Sequence, residues 1–330
     1  MRVTAFLCLS VVGLGAYQPA HVLALDGARF TLDGTPVFLL GCSYYGALSA
    51  SDEWIREDLT RLRDAGFNWV RVWVTWAAYD NDISVVDTTG APRELWLSRF
   101  RQLLAFADGL GMVVDVTFSR GASLPTHEAH LAAARALAAA LRPYRNAYFD
   151  LGNERNIGDA RHVSMAELGE LVSAVKQVDP DRLVTGSKAG DISDDEVRDY
   201  LQVAHVDFLA PHRPRDPGSP AQTEAKTKHY LSLCAELGRT VPVHYQEPFR
   251  RDFNAHQFQP TADDFFTDAL GALRGGAAGW CLHLGDNRAA EDRRPRRDFD
   301  LRPEEGRFFD RIDDVERRVI AEVAGKLGLR

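Results

Sequence analysis

The chain has 330 residues, of which 45% are hydrophobic, 26% charged and 10% aromatic. Those proportions fit a globular protein and exclude a disordered chain, a collagen-like repeat and a multi-span membrane protein. Lys and Arg number 39 against 47 Asp and Glu, a net charge of −8, which argues against nucleic acid as a partner, because nucleic-acid binders carry a basic excess.

Arg2 precedes an apolar run from Ala5 to Ala16, and the next residues end in Val22-Leu23-Ala24. A short basic start, an apolar stretch of about 7–15 residues and a small-residue exit site are the layout of a secretory signal. The run is too short for a membrane span, which needs about 20 residues. The other reading is an N-terminal core strand. On the first, residues 1–24 are a leader cleaved near Ala24 or Ala16, and residues 25–330 are a single exported domain, secreted or periplasmic. Of Cys8, Cys42, Cys234 and Cys281, three would remain, so a disulfide framework is not expected. Leu39-Leu40-Gly41-Cys42 has the letters of a lipidation box but lies well beyond the apolar run, and it reads as a buried strand.

Residues 25–35 are predicted to cap the bottom of the fold, with Asp33-Gly34 as a hairpin turn. Eight short apolar runs follow: 37–42, 69–74, 112–118, 147–151, 183–186, 207–210, 241–245 and 279–284. Their continuous apolar character is that of strands buried on both faces. Between them, apolar residues recur at helical spacing: Ile55, Leu59 and Leu62; Trp96, Phe100, Leu103 and Ala107; Leu131, Ala134, Ala138 and Leu141; Leu168, Leu171, Val172 and Val175; Phe266, Ala269, Leu270 and Leu273; and Phe308, Ile312, Val315, Val319 and Val323. Residues 194–202 and 220–237 carry weaker helical patterns. Eight strand–helix units in one series predict a single-domain α/β fold, the (β/α)8 TIM barrel. A doubly wound sheet lacks its Gly-rich phosphate turn after the first strand.

Catalytic groups of such barrels sit at the C-terminal ends of the strands. There the sequence places Tyr44-Tyr45 after the first strand, and Arg71, Trp73 and Trp76 on and after the second. Asn153-Glu154 follow the fourth, His212 the sixth and Tyr245-Gln246-Glu247 the seventh, while Trp280 and His283 lie on the eighth. Glu154 and Glu247 fall across the barrel mouth from each other. Glycoside hydrolysis needs such a pair, one carboxylic acid to protonate the leaving oxygen and one carboxylate to attack the anomeric carbon or activate water. Each Glu alone reads equally well as a salt-bridge partner at the start of a loop.

Asn153-Glu154 after the fourth strand with Glu247 after the seventh resembles clan GH-A of the glycoside hydrolases. The stretch Phe30-Thr31-Leu32-Asp33-Gly34-Thr35-Pro36-Val37, and Leu62-Arg63-Asp64-Ala65-Gly66-Phe67-Asn68-Trp69-Val70-Arg71, are similar to the corresponding parts of glycoside hydrolase family 5. The resemblance implies a retaining hydrolase of β-linked poly- or oligosaccharides that needs no cofactor and no metal. It implies Glu154 as acid/base, Glu247 as nucleophile, Asn153 on the sugar 2-hydroxyl, Arg71 as the group holding the nucleophile ionised, His212 lining the site and Trp280 as the floor under the sugar. The chain departs from the family pattern after the third strand, where Val116-Thr117-Phe118-Ser119 lacks a His, and after the sixth, where Pro214 stands in place of a Tyr that bonds the nucleophile. Tyr245, Tyr44 or Tyr45 is expected to substitute.

Trp73, Trp76 and Tyr44 read either as stacking platforms for sugar rings or as core. Arg120, Arg213, Arg215, Arg250 and Arg251, with Arg288, Arg293, Arg294, Arg296 and Arg297 in a later loop, read either as a rim for an anionic saccharide or as solvated loops with internal ion pairs. His127-Glu128-Ala129-His130 is not a metalloprotease helix, which needs two His four apart around a Glu, and is expected on the surface. No Gly-x-Ser-x-Gly elbow is present. The rival functions are a non-catalytic carbohydrate-binding barrel, a transglycosylase using the same two glutamates, and an unrelated barrel enzyme such as a lyase or isomerase.

Overall fold

The computed structural model describes residues 17–78, 80–253, 258–286 and 297–330. Residues 1–16 of the leader predicted over 1–24, and Arg288, Arg293, Arg294 and Arg296, lie outside the described residues. The chain opens with three antiparallel strands, β1 (Leu23–Asp26), β2 (Arg29–Leu32) and β3 (Thr35–Val37). The expected turn is there: Asp33 and Gly34 both take positive φ, 54° and 78°, between paired Leu32 and Thr35, as a two-residue hairpin of this hand requires. Tyr17–Ala24 are packed onto the domain. Asp108 accepts hydrogen bonds from the Tyr17 hydroxyl and from the backbone N–H groups of Ala20 and His21, and Tyr17 stacks on Tyr144 with ring centroids 4.4 Å apart.

The barrel follows, as the strand–helix alternation predicts. Its strands are β4 (Leu39–Ser43), β5 (Trp69–Trp73), β8 (Val113–Thr117), β9 (Ala147–Asp150), β10 (Val184–Thr185), β11 (His244–Tyr245) and β12 (Gly279–Leu282). All pair in parallel, in the order β10-β9-β8-β5-β4-β12-β11. A small hairpin, β6 (Ala77–Ala78) with β7 (Asn81–Asp82), sits in the loop after β5. The sixth predicted strand closes the ring through isolated bridges, Lys188 with Pro211 and Leu209 with Val243, and through the Leu209 N–H to Pro242 carbonyl bond of 2.9 Å. Pro211 and Pro242 have no N–H to donate, which keeps this segment from forming a full ladder.

Helices α1 (Asp52–Asp64), α2 (Glu94–Gly109), α3 (His127–Leu141), α4 (Met165–Val178), α5 (Asp194–Gln202), α6 (Ser219–Glu236) and α7 (Ala262–Gly275) alternate with the strands. Reciprocal capping boxes fix the starts of α4, α5 and α7. The last predicted helix is broken in two, α8 (Phe308–Arg311) and α9 (Asp314–Lys326), because Asp313 caps the second piece in a box with Glu316. The expected surface stretch 127–130 is corrected: it opens α3, and His130 is fully buried, its pKa lowered to about 3 by burial.

Barrel strands alternate between two environments. Outward residues such as Leu40, Cys42, Val70, Val72, Val114 and Val116 pack under the helices. Inward residues at the bottom, Leu39, Trp69, Val113, Tyr148, Phe208 and Cys281, meet Phe30 and Leu23 of the N-terminal sheet. Trp69 lies so close that a Cβ on Gly41 would fall 1.6 Å from its ring. This aromatic layer, with His244 4.6 Å from Trp69 between ring centroids, is the floor on which the polar mouth is built.

Candidate active site

Above that floor the inward positions turn polar. Arg71 on β5 is fully buried and its guanidinium is shared among carboxylates. Nε donates to Asp115 on β8 at 3.0 Å, one terminal nitrogen reaches Asp150 at the end of β9 at 2.6 Å and Asn153 Oδ1 at 3.0 Å, and the other meets Oε1 of Glu247. That oxygen also accepts from the Tyr45 hydroxyl at 2.7 Å. Below, Asp115 accepts from Gln246 at 2.9 Å and from Tyr148 at 3.2 Å. Burial, opposed by Arg71, raises the Asp115 pKa to about 7, so one guanidinium does not have to balance every neighbouring carboxylate at neutral pH.

Glu154 follows β9 in the left-handed region, φ 45°, a conformation costly for a residue with a Cβ and held by its surroundings. Its N–H donates to Ser187 Oγ at 3.1 Å. His212, fully buried, places Nδ1 3.5 Å from Glu154 Oε1 and 3.4 Å from Glu247 Oε2. Glu154, His212 and Glu247 each contribute an atom within 4.8 Å of the others. That is a possible cation-binding set, and a side-chain cation already bridges its carboxylates. Arg215 Nη2 lies 2.9 Å from Glu154 Oε1 and 3.2 Å from Glu247 Oε2.

The electrostatics follow from these contacts. Burial by itself would raise the pKa of Glu247, but His212, Arg71 and His283 outweigh it and hold Glu247 well below the usual carboxylate range. Burial also opposes ionisation of Glu154. Its contacts with His212 and Arg215 nevertheless bring it below its ordinary value, even beside the negative Glu247. Burial disfavours the imidazolium of His212, but Glu247 and Glu154 more than compensate and its pKa is raised. His283 is driven the other way by burial, Arg250 and Arg215, well below its ordinary value.

These groups line a cleft of about 1090 Å³. Tyr45, Trp73, Trp76 and Phe299 form an aromatic cluster along it, with neighbouring ring centroids 5.0–5.7 Å apart.

Of the residues expected in the site, Glu154, Glu247, Asn153, Arg71 and His212 are brought together. Three are not. Trp280 is fully buried on the outer face of β12, its indole N–H donating to Asp268 of α7 at 2.7 Å. Tyr245 points outward to Thr227 of α6 at 2.7 Å. Tyr44 bonds Asp58 of α1 at 2.8 Å and packs on Phe308. All three lie on the helix-facing side of the wall, so Tyr45 is the tyrosine that bonds Glu247. Of the arginine rim, Arg213 pairs with Asp191, Arg251 with Asp313 and Arg120 with Glu167, while Arg250 pairs with Asp286 at 3.2 Å and Arg297 with Glu316 at 2.7 Å. The expectation missed Asp115, Asp150 and Arg161. A lone Asp inside Val113-Val114-Asp115-Val116 was the available signal.

A (β/α)8 barrel with buried carboxylates gathered at its C-terminal mouth is the class that fold and site define. No protein-family model and no curated protein matches the sequence. Among solved structures the chain has the fold of glycoside hydrolase family 5 enzymes. It matches an endo-1,4-β-mannanase from Rhizomucor miehei with a TM-score of 0.66 at 13% identity, covering 94% of this chain and 100% of that one. It matches the hyperthermostable endo-1,4-β-D-mannanase of Thermotoga petrophila at 0.60 and 14%, covering 87% and 99%. A family 5 glycoside hydrolase of Bacteroides vulgatus matches at 0.60 and 16%, and this chain spans 63% of its length.

Proposed function

We propose that this chain is a retaining glycoside hydrolase that cleaves β-linked poly- or oligosaccharides by double displacement. The observation that carries the reading is the Glu154–Glu247 pair, with oxygens of the two carboxylates within 4.8 Å across the mouth. Retention needs carboxyl groups about 5–5.5 Å apart, whereas inversion needs about 6.5–9.5 Å to admit a water.

Glu247, held ionised by Arg71 and oriented by Tyr45, attacks the anomeric carbon. Glu154 gives its proton to the departing glycosidic oxygen as that bond breaks. In the second step Glu154 takes a proton from water, the water oxygen bonds the anomeric carbon, and Glu247 leaves as a carboxylate. Asn153 borders the sugar beside the pair, and the Tyr45–Trp73–Trp76 cluster offers apolar faces for sugar rings to stack on. The leader pattern read in residues 1–24 supports export. No helix among the described residues is long and apolar enough to cross a membrane.

The test is hydrolysis of a panel of neutral and acidic β-linked glycans, β-1,4-mannan among them, by the parent chain, Glu154→Gln and Glu247→Gln. Loss of most of the rate in both variants, with the β-anomer of the product released first, supports the reading. Cleavage undiminished in both variants overturns it. One observation favours a second reading, a sugar-binding barrel without turnover: Arg215 sits on both carboxylates. Binding of a glycan with no cleavage would select it.

A further inference from the structure

Arg215 stands where a reacting sugar has to stand. On the double-displacement reading, the anomeric carbon and the glycosidic oxygen lie between Glu247 and Glu154, and that gap is spanned by one guanidinium nitrogen, 2.9 Å from one carboxylate and 3.2 Å from the other. No substrate reaches both glutamates until Arg215 leaves at least one of them.

Most other guanidinium groups of the cleft are not available as replacements. Arg213, Arg120 and Arg250 are each matched by a carboxylate outside the pair, Asp191, Glu167 and Asp286. Among the described residues, the ion-pair partners of Arg215 are Glu154 and Glu247 themselves. Its side chain is 15% exposed, with its guanidinium 4.6 Å from the ring centre of Phe253, so it is largely desolvated. A neutral sugar entering the gap would take its partners away and give nothing back, leaving a desolvated cation unpaired. An anionic substituent would give it a new partner, in the two-toothed geometry that guanidinium favours for carboxylate and sulfate. Arg161, 3.6 Å from Glu154 Oε2, is likewise matched by a carboxylate outside the pair, Asp159 at 2.7 Å.

The exchange also suits the acid. A general acid must carry its proton near the working pH, and a carboxyl group resting on a guanidinium gives its proton up. Moving Arg215 onto the substrate removes one of the cations that hold Glu154 ionised; His212 and Arg161 stay beside it, while burial and ionised Glu247 favour the protonated form.

We propose that the substrate is a saccharide bearing a carboxylate or sulfate group, and that Arg215 receives this anion, exchanging the two glutamates for the substrate. The proposal rests on the paired-glutamate reading for its catalytic part, while its recognition part stands on Arg215 alone.

Matched probes test it: manno- and cello-oligosaccharides, their forms oxidised to the uronate at C6, and cello-oligosaccharides sulfated at O6. Relative kcat/KM is measured for the parent chain, Arg215→Gln and Arg215→Lys. Calorimetric Kd values are measured for mannuronate, glucuronate and glucose 6-sulfate against mannose and glucose. The parent chain is expected to favour an acidic member by roughly 10- to 100-fold, the range for hydrogen bonds to charged groups. Arg215→Gln is expected to lose that preference while its rate on the neutral member rises, and Arg215→Lys to keep part of it. The uronate and sulfate arms identify which anion is read.

Equal or better use of the neutral members by the parent chain overturns the proposal, and so does failure of every acidic probe to bind. A preference that survives in Arg215→Gln, or a rise in that variant on acidic and neutral probes alike, also overturns it. Cleavage of neutral glycans that Glu247→Gln abolishes, without any acidic preference, removes this proposal and leaves the hydrolase reading standing. Acidic sugars held through Arg215 but not cleaved remove the hydrolase reading and leave the recognition.

Discussion

Oε1 of Glu247 is held by Arg71 from one side and by the Tyr45 hydroxyl, at 2.7 Å, from the other. Both partners are closed to solvent, so the carboxylate is fixed in place and kept ionised by groups whose own mobility is small. Tyr45→Phe removes one of these contacts without changing shape. It is expected to lower kcat about 10- to 100-fold, the range for a hydrogen bond to a charged group, with a much smaller change in KM. Steady-state kinetics on any cleaved glycan check this, and an unchanged kcat would show that the hydroxyl does not orient Glu247 for the proposed attack.

Arg71 carries a heavier structural load. Arg71→Met strands Asp115, Asp150 and Glu247 together in a buried space. The expected loss is about 3–5 kcal/mol of stability, as for breaking a buried ion pair, read as a fall in the urea midpoint. Adding Glu247→Gln to that variant should recover part of the loss, because it removes one of the stranded charges.

Asp115 gives the protein a pH dependence with a definite sign. Its pKa in the fold is raised from 3.8 to about 7, so the folded state holds a proton that the unfolded chain has released. Between about pH 4 and pH 7 this group therefore lowers stability as pH rises, and above that window its effect is constant. Glu247, depressed by His212, Arg71 and His283 despite burial, works oppositely: its contribution is present above its ordinary pKa and is lost as pH falls. Denaturant unfolding between pH 5 and pH 7 isolates the first effect. The slope of stability against pH should become more positive in Asp115→Asn than in the parent, and identical slopes would mean Asp115 does not titrate there.

The packing at Gly41 sets a steric prediction. A methyl group there meets the ring of Trp69 at 1.6 Å, and the backbone of a central barrel strand cannot retreat from it. Gly41→Ala should cost about 3 kcal/mol, at the upper end of overpacking effects, and Trp69→Leu on the same chain should relieve part of that cost.

At the N-terminus, Tyr17, Ala20 and His21 converge on Asp108. A chain beginning at Tyr17 is expected to be more stable than one beginning at Leu25, by about 1–3 kcal/mol for each buried group of Asp108 left unsatisfied. If the chain is exported and cut at a small residue as proposed, cleavage after Ala16 preserves these contacts and cleavage after Ala24 destroys them. Mass spectrometry of the mature chain and melting curves of the two forms check this.

The barrel was legible because buried parallel strands leave continuous apolar runs such as Gly279–Leu282, and the helices between them leave a 3–4 spacing. Glu154, Glu247, Asn153, Arg71 and His212 were legible because the ends of such strands converge. Tyr44, Tyr245 and Trp280 were misplaced because proximity to a strand end was given more weight than facing. Alternation along a strand sends Trp280 to α7 while its neighbours Cys281 and His283 face inward, and that period of two was there to be used. The Arg215 bridge had no local signature. Pro214-Arg215 belongs to a loop, and only the closed ring brings that loop over two glutamates 61 and 32 residues away.

The N-terminal sheet makes the barrel a cup instead of a tube. Phe30 and Leu23, set against Trp69, Tyr148, Phe208 and His244, form a packed aromatic base beneath Asp115 and Arg71. On the proposed function, water and protons exchanged at Glu154 and Glu247 then travel through the same opening as the glycan. If the chain cleaves glycans as proposed, a long one lying in the cleft would meter the solvent reaching its own cleavage point, and turnover on long glycans would respond to solvent viscosity more steeply than turnover on short ones.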